Sequence, residues 1–210
     1  MSTPPVDQAR QRWETRYAAD GYVFGTAPNA FLAAQATRLK PGMKVLCVAD
    51  GEGRNGVWLA GLGLDVLSFD LSATGLAKAQ KLAAARGVAL ATREADIAAW
   101  HWEDARFDVV VAIFVQFAGP DLRRAMFEGM QRTLKPGGLL ILQGYRPEQC
   151  AYGTGGPSEP ENLYTEALLR DAFGGMDWLH FSSHDDHVDE GHGHVGMSAL
   201  IDLVARKPGG

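Results

Sequence analysis

At 210 residues, with 46% hydrophobic and 21% charged side chains, the chain suits one folded domain with a full core. Its formal net charge of −5 lacks the basic excess of a nucleic-acid binder, and no apolar run is long enough to span a bilayer. Two cysteines, Cys47 and Cys150, support neither a disulfide framework nor a Cys-rich zinc site.

In chain order, residues 7–19 predict a helix carrying Trp13 and Tyr17 four apart on one face. A Gly/Pro loop over 20–29 and a short helix over 30–38 follow. Lys44 to Ala49 is a buried strand that runs into a glycine turn and a helix over 54–62. Asp65 to Phe69 is the second strand, and Ser72 caps a helix that Gly87 stops after Arg86. Val88 to Arg93 is the third strand. Phe107 to Phe114, the most hydrophobic, belongs at a sheet centre. A helix over 120–133 and a Lys-Pro-Gly-Gly turn lead to a strand over 139–143. Residues 144–160 form the longest irregular stretch, and 162–173 a helix. Trp178 to His184 and Val195 to Ala205 close the chain as a hairpin across a polar loop. The alternation predicts an α/β fold with a doubly wound, mostly parallel seven-stranded sheet and an antiparallel C-terminal hairpin. It is expected as one domain over 1–210, with 1–38 as an N-terminal helical segment and 40–206 as the core. MSTPPVDQARQRW holds no signal-peptide core, so a cytoplasmic location is expected.

Residues 43–70, MKVLCVADGEGRNGVWLAGLGLDVLSFD, read as strand, glycine turn, helix, strand and acid. That unit binds adenosine-containing cofactors: glycines admit the ligand closely and the acid accepts from ribose hydroxyls. Gly51, Gly53 and Gly56 also fit a dinucleotide fingerprint, so a nicotinamide cofactor competes. Three features weigh against it. No Tyr-x-x-x-Lys pair or second catalytic domain is present. Asp96 stands ready at the next strand end for an adenine amino group. Asp50 inside the turn would repel a diphosphate and attract an ammonium. S-adenosylmethionine carries adenosine and positive charge without phosphate, so the electrostatics favour it as methyl donor.

On these residues the chain resembles the class I S-adenosylmethionine-dependent methyltransferases, with a Rossmann-like fold, from about residue 40 onward. LKPGMKVLCVADGEGRN, FDLS, EADI, FDVVVAIF and LKPGGLLIL look like that class's successive motifs. The GRN ending, Trp13-x-x-Arg16-Tyr17 and Phe24-Gly25-Thr26 resemble its small tellurite-resistance and thiopurine methyltransferase group. So do Gly-Thr-Gly-Gly-Pro (153–157) and Asp-Glu-Gly-x-x-His (189–194), as in a bacterial subgroup. The chain departs from the class with Cys47 at the usual acid, Ala49 at the first glycine and Asp50 at a small residue.

The resemblance implies cofactor contacts from Asp50, Gly51, Gly53, Asp70, Leu71, Asp96, Ile97 and Phe114. It adds Tyr17 and Gly25 from an N-terminal segment folding over the cofactor, with Asp50 at the methionine ammonium. Tyr145, Arg146, Glu190 and His194 are candidates for the substrate pocket, Arg146 as partner of an anion; the alternative is an ordinary surface loop. His192-x-His194 on a strand invites a metal, but methyl transfer needs none and no metal is expected. Cys47 reads as an inert core residue. The leaving group in methyl transfer is a neutral thioether, so no acid is demanded. A soft acceptor such as a thiol or tellurite needs little base. The expected activity is methyl transfer to a small molecule, without nucleic acid or membrane, by a monomer or homodimer. The rival readings are a non-catalytic S-adenosylmethionine binder and, behind it, a nicotinamide-dependent oxidoreductase.

Overall fold

The computed structural model describes residues 6–209, so the expected domain's first five residues and Gly210 lie outside it. Two compact units are present: the described residues up to Trp100 with Glu190–Gly193, and His101–Asp189 with His194 onward.

In the first unit, helix α1 (Val6–Tyr17) precedes α2 (Ala30–Ala34) and a 3-10 turn over Ala36–Arg38. Then come β1 (Lys44–Val48), α3 (Arg54–Gly61), β2 (Asp65–Asp70), α4 (Ala73–Ala85) and β3 (Ala91–Glu94). The three strands pair in parallel with β2 between β1 and β3. Val45, Leu46, Cys47 and Val48 are buried in succession, so β1 is covered on both faces. The expected strand to Ala49 stops one residue earlier, because Ala49 takes a left-handed φ of 48° that swings the chain into the glycine turn. Ser72 caps α4 as expected, its hydroxyl accepting from the Gly75 amide at 3.0 Å. The third strand begins later than predicted. Gly87, at φ 66°, ends α4, and the Val88 amide folds back onto the Ala83 carbonyl at 3.0 Å. Residues 88–90 therefore finish a helix cap before β3 can start.

In the second unit, β4 (Phe107–Ile113), α5 (Pro120–Thr133) and β5 (Leu134–Tyr145) form a parallel crossover. A short helix α6 (Gln149–Tyr152), α7 (Glu166–Phe173), β6 (Asp177–Asp189) and β7 (Val195–Arg206) follow. β7 lies antiparallel between β5 and β6. α7 starts four residues after the predicted 162, because the Thr165 hydroxyl caps it through the Leu168 amide at 3.1 Å. The hairpin outgrows its prediction. Pairing runs to Asp189↔Val195, so the polar loop shrinks to residues 190–194. His192 and His194 consequently lie in that turn and not on a strand, correcting the geometry imagined for a metal pair. Among the described residues no group of three His, Cys, Asp or Glu side chains is arranged to hold a metal ion. No helix among them is long and apolar enough to cross a membrane. Among the described residues seven strands, mostly parallel with antiparallel strands towards the C-terminus, give the mixed α/β class the alternation predicted.

Candidate cofactor site

The turn after β1 is built by its own acids. Asp50 places one carboxylate oxygen 2.7 Å from the Ser68 hydroxyl and 3.1 Å from the Gly56 amide, both donating to it. Burial pushes its pKa up to about 7, against the pull of those two hydrogen bonds. One oxygen of the carboxylate expected to meet an ammonium thus fixes the turn to β2 and α3.

Asp70, at the end of β2, accepts from the Gly51 amide at 2.8 Å and the Ser72 amide at 2.9 Å. It is 6% exposed, and burial raises its pKa despite three backbone hydrogen bonds. An ionised carboxylate has about four acceptor positions, so three backbone donors leave room for one ribose hydroxyl. At the end of β3, Asp96 caps the 3-10 turn Ile97–Ala99 with one oxygen, accepting from the Ala98 amide at 3.0 Å. Its second oxygen is available to an adenine amino group. Ile97 is buried beside it, and Leu71 is half-buried after β2 with its carbonyl held by Arg10 at 3.1 Å. Phe69 and Trp100 stack at 4.1 Å.

The glycines serve a purpose the sequence did not reveal. A Cβ at Gly51 would collide with the Tyr17 hydroxyl, one at Gly53 with Ala79, and one at Gly56 with Ser68 and Asp50. Their smallness is used by packing within the protein, and the Gly51 and Gly53 amides are bonded to Asp70 and to the Asp50 carbonyl. Tyr17 is 4% exposed, stacks on Trp13 at 5.3 Å and meets Phe24 edge-on at 6.5 Å. Burial, then the charges of Asp70 and Glu52, hold its phenol well above the usual range, so it stays protonated. Gly25 occupies the left-handed region at φ 70° near Gly191.

Glu190 is not on an open rim. Its carboxylate accepts from the Arg54 guanidinium at 2.6 Å, Asn29 Nδ2 at 2.9 Å and the Ala30 amide at 3.0 Å. Glu52 is similarly engaged, by the Val23 amide at 2.7 Å and Lys78 at 2.9 Å. The sequence reading passed over Glu52, Arg54 and Asn55. The signal available was charge at alternate positions of an otherwise apolar strand–turn–helix.

The other candidates belong to the second unit. Phe114 has a left-handed φ of 55°, a strain uncommon for a bulky residue and frequent at functional strand ends. Its ring stacks on Tyr145 at 4.6 Å and meets His194 edge-on at 4.5 Å. Tyr145 itself is fully buried. Gln116 fixes the end of β5, donating to the Tyr145 carbonyl at 2.9 Å and accepting from its amide at 2.5 Å. Arg146 pairs with Asp185, lies 3.6 Å from Glu148 and donates to the His184 carbonyl at 3.2 Å. Its charge is answered inside the protein, against its expected use on an anionic substrate.

A nucleoside with positive charge fits the first unit better than a diphosphate does. Asp50 and Asp70 meet at the turn, while the nearby cations Arg54 and Lys78 are already paired with Glu190 and Glu52.

Comparison with known proteins agrees. The methyltransferase domain family matches residues 45–138. An uncharacterised Mycobacterium tuberculosis protein is 37% identical over 115 residues, 54% of this chain and 41% of that protein. The chain thus spans about half or less of the length of the curated relatives it matches. Among solved structures, one from work on the conversion of a disulfide bond into a thioacetal group during echinomycin biosynthesis superposes with a TM-score of 0.76. It is 23% identical, covering 95% of this chain and 93% of that one. TehB from Haemophilus influenzae gives 0.70 at 18% identity, covering 94% and 66%. Magnesium protoporphyrin IX methyltransferase from Synechocystis, solved with S-adenosylhomocysteine, gives 0.70 at 18%, covering 96% and 99%. Residues 45–138 therefore match a methyltransferase domain, and the fold is one in which methyltransferases hold the demethylated form of S-adenosylmethionine.

Proposed function

We propose that the chain is an S-adenosylmethionine-dependent methyltransferase acting on a small soft nucleophile, a thiol in preference to a chalcogen oxyanion. The observation that carries the cofactor reading is Asp70, a buried carboxylate at the end of β2 held only by backbone amides. One ribose hydroxyl would complete its coordination. Asp96 would take the adenine amino group, with Leu71 and Ile97 against the ring. Gly51 and Gly53 would flank the methionine portion, with Tyr17 and Gly25 from the N-terminal segment. Asp50 holds the shape of that turn. When bound, the donor supplies an electrophilic methyl whose bonding electrons stay on sulfur as a neutral thioether. The protein's task is alignment and exclusion of water.

The preference for a thiol follows from Arg146, whose pairing with Asp185 and Glu148 leaves it no charge to offer an oxyanion. The partly exposed Phe114 and His194 offer polarizable ring surface instead, backed by the buried Tyr145. The neighbour from the thioacetal study also belongs to sulfur chemistry. We place the enzyme in the cytoplasm as one domain, monomer or homodimer, without nucleic-acid partners. Calorimetry with S-adenosylhomocysteine tests the cofactor: saturable binding is expected, and binding of NADH in its place would end the reading. Turnover over a panel of thiols, thiopurines, selenite and tellurite tests the acceptor, with thiols expected to lead.

A further inference from the structure

The turn at 50–56 has two sets of functional groups, and only one is absorbed by the cofactor reading. Its side chains at 52 and 55 bind residues 19–30 directly, and the one at 54 reaches them through Glu190. Glu52 accepts from the Val23 amide at 2.7 Å and from Lys78 at 2.9 Å. Lys78 in turn donates to the Ala19 and Gly21 carbonyls at 2.7 Å each. The Asn55 carbonyl oxygen accepts from the Asn29 amide at 2.9 Å. Arg54 reaches Glu190, whose carboxylate also takes Asn29 Nδ2 and the Ala30 amide. Turn residue Gly193 donates to the Val23 carbonyl at 2.9 Å. The Glu52 and Arg54 side chains are 3% and 7% exposed, so leaving either without its partner is costly.

We propose that Glu52 and Arg54 are positioning residues that make cofactor affinity depend on the docking of residues 19–30. The physical basis is that one short loop cannot move its side chains without moving its backbone. Val23 pulls on Glu52, one residue from Gly51 and Gly53, and Asn29 and Glu190 pull on Asn55 and Arg54 at the first turn of α3. Tyr17, at the end of α1, meets Phe24 of the segment edge-on and lies over Gly51 and Gly75. Docking of the segment and order in the glycine turn are then one event. This inference rests on the S-adenosylmethionine reading given above.

The test pairs hydrogen exchange with S-adenosylhomocysteine calorimetry on wild type, Glu52→Gln and Lys78→Gln. Lys78→Gln is the safeguard if Glu52→Gln fails to fold, since Lys78 lies on α4 outside the turn. In wild type without ligand, the amides of Val23, Asn29 and Ala30 should exchange slowly. Either variant should speed exchange across 19–24 and weaken S-adenosylhomocysteine about tenfold, within the usual range of coupling between sites. Re-forming the pair in Glu52→Asp should recover part of both. Faster exchange with unchanged affinity would overturn the coupling while leaving the cofactor assignment intact. Absence of binding by wild type would overturn the cofactor assignment and the coupling together.

Discussion

Strands β1 and β4 end in the same way and are secured differently. Each hands over to a non-glycine residue in the left-handed region, Ala49 at φ 48° and Phe114 at φ 55°. After β1 the turn is held by carboxylates: Asp50 and Asp70 gather the amides of Gly56, Gly51 and Ser72. After β4 a neutral amide does the holding, Gln116 bonding both backbone groups of Tyr145. The first turn concentrates negative charge and suits a cationic nucleoside. The second builds an aromatic cluster in which the Phe114 ring lies between Tyr145 and His194.

The contrast can be broken most severely at Gly51. Gly51→Val must place a branched side chain at φ 57° and against Tyr17, costing about 3 kcal/mol or more from strain and overpacking. Chemical denaturation should show the loss, together with absent S-adenosylhomocysteine binding. Next is Gln116→Ala, which orphans the Tyr145 amide and opens a cavity, for roughly 2–4 kcal/mol by the same measurement. It should raise the KM for a thiol while leaving cofactor affinity nearly unchanged. Asp70→Ala should do the reverse, weakening cofactor binding by about 1–3 kcal/mol as charged hydrogen bonds are lost. Unchanged affinity there would mean that the end of β2 does not hold the ribose.

The subtlest difference is in pH. Asp50 has its pKa raised from 3.8 to about 7, so between those values the folded state binds more protons than the unfolded. Its contribution is greatest below about pH 4 and is lost as pH rises through 7. Urea midpoints of wild type should therefore fall between pH 4 and 7 relative to those of Asp50→Asn. Parallel midpoint curves would show that Asp50 is ionised in the fold at neutral pH. Gln116, being uncharged, gives its turn no such dependence.

Much of this was readable in the residues. The apolar run of β1 and the glycine turn after it were legible in the residues, and Ser72 and Gly87 marked the ends of α4. What stayed hidden depended on partners distant in sequence. Glu190 looked like a pocket residue because it follows a hairpin strand. Only folding puts its carboxylate on Arg54 and Asn29, 136 and 161 residues away. Arg146 looked free because its partner Asp185 was assigned to a loop, before pairing extended β6 through that residue.

Hydrophobic period and turn chemistry act within a few residues, so the sequence by itself determined the α/β class, the strand–turn–helix unit and the acids at its strand ends. Ion pairing and burial act between residues that only tertiary structure brings together. They decided that Asp50 holds a turn, that Arg146 is neutralised, that Tyr17 fills the space beside Gly51, that Glu52 holds Val23 and that Arg54 holds Glu190.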